Sequence, residues 1–166
     1  MVESLTEEQW RWRPTPVAHT IAFEVWHAAR HDDLLQTFLP GFRPDLEAPL
    51  GQREQIWRSE NLAQRWSLDP KVLGFEETGS GMEDAVAAAL PLPGKAALLD
   101  YARRAFIAME RVVESISDNQ LSVVVTVAGE TVPLGAVFVG ALLHDEWTIG
   151  YIASLRRAQE IPRIEA

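Results

Sequence analysis

The chain has 166 residues, enough for one domain with its own core, and carries a formal charge of −9 with nearly half its residues apolar. It contains no cysteine, which excludes a disulfide framework, a thiolate metal site and a cysteine nucleophile. Its basic residues are scattered and outnumbered, which argues against nucleic acid or an anionic membrane surface as partner.

No apolar run reaches the roughly 18 residues of a membrane helix. Met1-Val2-Glu3-Ser4 lacks the basic and apolar regions of a signal peptide. A soluble cytoplasmic protein is expected.

In chain order, Leu5 to Trp12 reads as a short helix, with a capped start at Ser4, Thr6 and Glu7 and an end at Pro14 and Pro16. Val17 to Phe38 is the first long helical pattern. Its apolar face is Ile21, Val25, Ala28, Leu35 and Phe38, and Pro40, Gly41 and Pro44 follow it. Residues 41–94 form a long crossover. Arg53 to Trp66 holds one or two short helices, Glu83 to Leu90 is helical by propensity, and Ile56, Trp57, Leu62, Trp66 and Phe75 need burial.

Lys95 to Ile116 is the second long helix, with Leu98 or Leu99, Ala102, Ala105 or Phe106, Met109, Val112 or Val113, and Ile116 on one face. Asp118 to Leu121 closes it. Ser122 to Val127 and Thr131-Val132, joined by Ala128-Gly129-Glu130, predict a small hairpin. Leu134 to Gln159 is the third long helix, followed by Pro162. These elements can share one core, so a single domain over residues 1–166 is expected.

Three histidines and one glutamate stand on or beside apolar faces. His27 and His31 lie one helical turn apart, Glu24 precedes His27 by three, and His144 sits within the stripe Val137, Ala141, Thr148, Tyr151 or Ile152, and Leu155. A lone helical histidine is ordinarily satisfied by its neighbours or half exposed. Several on core faces repeat a burial cost of about 1–3 kcal/mol each unless they satisfy one another. A shared metal would do that, because neutral imidazole is a ligand for zinc, nickel or iron. Glu24-x-x-His27 has the spacing of di-iron bundles, but no second copy accompanies it. His19 reads as surface or helix entry, and Arg156 and Arg157 as solvated charge near a helix C-terminus. The tryptophans read as core and interface anchors, with Trp10, Trp12, Trp57 and Trp66 near loops, where they could rim a pocket. There is no phosphate loop, nucleotide fingerprint or nucleophile elbow.

The ordered phrases of the chain resemble the DinB/YfiT-like superfamily, which includes metal-dependent thiol transferases. Leu5-Thr6-Glu7-Glu8-Gln9-Trp10-Arg11-Trp12-Arg13-Pro14 is similar to the phrase before that family's second helix. His19-Thr20-Ile21-Ala22 and Trp26-His27-Ala28-Ala29-Arg30 resemble its "Ser-Ile-Ala … Trp-His-x-Ala-Arg". Gly81-Met82 and Leu98-Leu99-Asp100-Tyr101 fit its middle. Leu143 to Ile152 resembles its closing "His-x-x-x-His-x-Gly-x-Ile".

The resemblance implies an all-α, up-down-down-up four-helix bundle with a long, partly helical crossover. Its three metal ligands fall on His27, His144 and Thr148, where the third should be histidine. The chain departs from the family there, and again in its first helix, which is shortened unless the recorded start lies too far downstream.

Two readings follow. One is a metal-dependent thiol-transferase type of enzyme, with zinc, nickel or iron on His27 and His144, His31 as substitute ligand or base, and any thiol supplied by a cosubstrate. The other is a non-catalytic binding or stress-related bundle without metal. The expected site is degenerate, with metal weakly held or absent. A homodimer is expected, because three long helices and a short first one leave an apolar groove open. Trp10, Trp12 and Trp57 are expected at its interface.

Overall fold

The structure is a computed structural model that describes residues 2–42, 51, 53–127 and 129–161. Pro44, Ala128 and Pro162, expected at element ends, lie outside the described residues. The protein is mostly helical with one small antiparallel hairpin. Among the described residues, no helix is long and apolar enough to cross a membrane.

Helix α1 spans Glu7–Arg11. The Thr6 hydroxyl accepts from the Gln9 N–H at 3.1 Å, and the Gln9 side chain accepts from the Thr6 N–H at 2.9 Å, a reciprocal cap. This short helix is an anchor. Trp10 is fully buried, and the Glu7 carboxylate accepts from the Lys95 N–H at 2.8 Å, which satisfies one orphan donor at the start of a long helix.

Helix α2 spans Ile21–Phe42. It starts later than the apolar pattern predicts because the Thr20 hydroxyl caps it, accepting from the Phe23 N–H at 3.0 Å. It also runs past residue 38, so Pro40 falls in its last turn. Residues 21–26 are all buried, which makes α2 the central element.

The crossover carries α3 (Ile56–Ser59), α4 (Leu62–Arg65), a 3-10 turn at Pro70–Val72 and α5 (Asp84–Ala89). A buried polar network pins it to α2. Arg30 donates to the carbonyls of Glu76 at 2.8 Å and Glu77 at 3.0 Å, and pairs with Asp33 at 3.3 Å. Asp33 accepts from the N–H groups of Ile56 at 2.9 Å and Trp57 at 2.8 Å, and from the Tyr101 hydroxyl at 3.0 Å. Each buried polar group there has a partner, as burial requires.

Helix α6 spans Lys95–Ser115, and Leu98, Tyr101, Ala102, Ala105, Met109 and Val112 are buried along the predicted face. After a 3-10 turn at Asp118–Ser122 come β1 (Val124–Val127) and β2 (Glu130–Pro133), paired from Val124↔Pro133 to Val127↔Glu130. Val125 packs into a satellite core with Leu39, Met109, Val112 and Leu134. Helix α7 spans Leu134–Ala158. Both α6 and α7 pack on α2 and touch each other little.

Trp57 is also fully buried, in the main core with Trp10 and Trp26. This corrects the expectation of Trp10 and Trp57 at an interface: each lies on the inward side of its short helix. Arg156 is buried as well, contrary to its reading as solvated charge.

Candidate functional site

The two histidines expected to share a site do meet, from the second turn of α2 and the middle of α7. The Nε2 atoms of His27 and His144 are 2.9 Å apart, with the rings tilted by 61°. Two nitrogens on one ion stand roughly 3 Å apart, because each metal–nitrogen bond is about 2.0–2.1 Å. The same separation suits a direct hydrogen bond between neutral imidazoles.

The other nitrogen of His27 is spoken for. Nδ1 lies 2.6 Å from the Thr78 carbonyl, and a carbonyl only accepts. Nδ1 therefore carries the proton and leaves the Nε2 lone pair facing His144. Gly79 makes the approach possible. Its φ is +94°, and a Cβ there would come within 2.9 Å of Trp26 and 3.1 Å of His27 Nδ1. Burial holds His27 below the ordinary histidine range, and His144 adds to this, so the ring is in its neutral, ligating form.

His31 is brought to the pair in a different way. Its ring stacks on His144 with centroids 4.1 Å apart and planes 19° apart. Imidazole lone pairs lie in the ring plane, so near-parallel stacked rings do not aim at one point. Its Nδ1 is buried with no hydrogen-bond partner, and burial pushes its pKa down to about 4, with His144 adding to this. His31 packs on His144 and does not converge with it on the His27 side.

Thr148 is 5% exposed and lies one turn beyond His144 on the inner face of α7. A neutral hydroxyl is a poor donor for a first-row divalent ion. Among the described residues, no group of three His, Cys, Asp or Glu is placed to hold a metal. The two imidazoles fit an ion, but no third protein ligand joins them among the described residues.

The pair opens into a cleft of about 840 Å³, edged by Phe23, Met82, Trp147 and Tyr151. Glu24 and His19 also face it. Glu24 takes a hydrogen bond from His19 at 2.8 Å and so serves the entry to α2.

Sequence reasoning missed three features of this region. Thr78 and Gly79 act through backbone from a loop about fifty positions after His27. Asp32 and Asp145 are the third: each has a buried carboxylate oxygen with no hydrogen-bond partner. Burial raises the Asp32 pKa to about 7, with Asp145 and Asp33 adding to it. An acidic residue beside a histidine on a helix reads as solvated surface, so nothing in the local pattern marks either one.

No curated protein matches this chain. The DinB superfamily model matches residues 1–152, which include α1, the His27–His144 pair and most of α7. The chain therefore belongs to the DinB superfamily.

Proposed function

We propose that this protein carries a degenerate divalent-metal site, built on His27 and His144 and lacking a protein ligand at Thr148, beside a cleft for a small molecule. The observation that carries the reading is the 2.9 Å approach of the two Nε2 atoms, with His27 oriented by the Thr78 carbonyl. The frame proposed for it is an up-down-down-up four-helix bundle in which α1 takes the place of a long first helix.

A divalent ion at such a site supplies Lewis acidity, lowering the pKa of a bound water or thiol. The chain has no cysteine, so a thiol must arrive as cosubstrate. That keeps the protein chemically close to metal-dependent thiol transferases. With two protein donors, zinc, nickel or iron is held weakly, and the cleft ligand must complete the coordination.

A second reading, a binding protein without metal, also has an observation behind it. At 2.9 Å, His144 Nε2–H can donate to His27 Nε2, which joins the two Nε2 atoms without an ion, while His144 Nδ1 stays buried without a partner. Elemental analysis of protein purified without a metal-affinity tag separates the two. Substoichiometric metal that rises on incubation with zinc or nickel supports the degenerate site. No uptake from excess zinc or nickel favours the second reading, and a full equivalent of tightly held metal contradicts both.

A further inference from the structure

Helices α6 and α7 flank α2 and leave a groove of about 710 Å³ between them. Phe106 and Met109 line one wall, Ile149 and Ile152 the other, and Ala28 part of the floor. In that apolar floor stands Asp32, 5% exposed, with Oδ1 buried and no hydrogen-bond partner. The next residue shows what a satisfied buried carboxylate looks like here: Asp33 accepts from Ile56, Trp57 and Tyr101. Asp32 has none of this, and leaving a buried acceptor unpaired is costly.

Asp145 faces the same groove from α7 and also has a buried oxygen without a partner; its Oδ1 stands 3.6 Å from His144 Nδ1, too far for a hydrogen bond. Glu3, Glu110 and Arg103 line the groove too. The groove is therefore apolar in its walls, with acidic side chains at Asp32 and Asp145.

We propose that this groove binds a cationic amphiphile, a primary ammonium on an apolar body, with the ammonium between Asp32 and Asp145. An ammonium has three donors and no acceptor, so it suits two carboxylates whose Oδ1 atoms find no donor among the described residues, once each turns that buried oxygen toward the groove. The apolar body lies along Phe106, Met109 and Ile149. Neutral apolar molecules leave the carboxyls unpaired, and anions are repelled. The volume suits a small ligand. Among the described residues Thr148 alone lines both this groove and the His27 cleft, and no ion is needed here, so the proposal stands apart from the metal reading.

Calorimetric titration with octylammonium, octanol and octanoate, each below its self-association concentration, tests it. Octylammonium is expected to bind one per chain, at least tenfold more tightly than octanol, with no measurable octanoate binding. Asp32→Asn should weaken octylammonium at least tenfold while thermal unfolding shows an intact fold, and Glu114→Gln on the exposed side of α6 should change nothing. Equal affinities for octylammonium and octanol overturn the proposal. So does unchanged binding in Asp32→Asn, an equal loss in Glu114→Gln, or light scattering in which octylammonium binds only as a dimer dissociates, since the groove's occupant is then a second copy.

Discussion

The Nδ1 atom of His27 meets the carbonyl of Thr78 at 2.6 Å, and Gly79 is the residue that lets the loop come so close. At φ +94° a side chain there is strained whatever the space, and the space is already taken by Trp26 and His27. Gly79→Ala is predicted to destabilise the protein by about 1–3 kcal/mol and to release His27 from its tautomer. Thermal unfolding reads the first effect. The second appears in the pH titration of the His27 ring by NMR. An unchanged melting temperature with an unchanged His27 titration would show that the loop does not orient the ring.

Stability should respond to pH through two buried groups of opposite sign. The folded pKa of His31 is about 4 against an ordinary 6.5, so its contribution is present above about 6.5 and lost as pH falls toward 4. The folded pKa of Asp32 is about 7 against an ordinary 3.8, so stability is lost as pH rises from about 3.8 through 7. Asp145 and Asp33 raise Asp32; His144 and His27 depress His31, and Asp145 raises it. In the wild type the two slopes oppose each other. Asp32→Asn is predicted to raise stability at pH 8 by about 1–3 kcal/mol and to leave it nearly unchanged at pH 4. Chemical unfolding at the two pH values decides this, and an Asn variant no more stable at pH 8 contradicts it.

Much of this was legible from periodicity. The α6 face from Leu98 to Val112 and the hairpin around Gly129 follow local spacing and turn chemistry, and both are as expected. His27 and His144 were legible because each interrupts an apolar stripe. The start of α2 was not, because Thr20 outweighs the apolar residues before it. Arg30 and Asp33 are held by partners some twenty to fifty positions away in the crossover, and Asp33 also by Tyr101 of α6, none of which a local window contains.

The homodimer now rests on α7, since Trp10 and Trp57 are buried. A helix that is apolar all round is ordinarily covered all round. On α7, Ala141, Ile152 and Leu155 face the core, while Val139 and Leu143 are 56% and 60% exposed and Trp147 is 87% exposed. Closed two-fold pairing through this outer face is predicted. Light scattering after size exclusion should give twice the 18.6 kDa chain mass at micromolar concentration, and Leu143→Glu should halve it. A monomer in the wild type at that concentration rules the dimer out.

The degenerate site is tested most directly at position 148. Thr148 lies one turn beyond His144 on the same buried face, so Thr148→His adds a third imidazole to the two that already converge. In calorimetric titration with zinc and nickel, the native chain should bind weakly or substoichiometrically, and Thr148→His at least tenfold more tightly, about 1.4 kcal/mol or more. Equal affinity in the two proteins would contradict the account, because it would mean that position 148 does not face the His27–His144 pair.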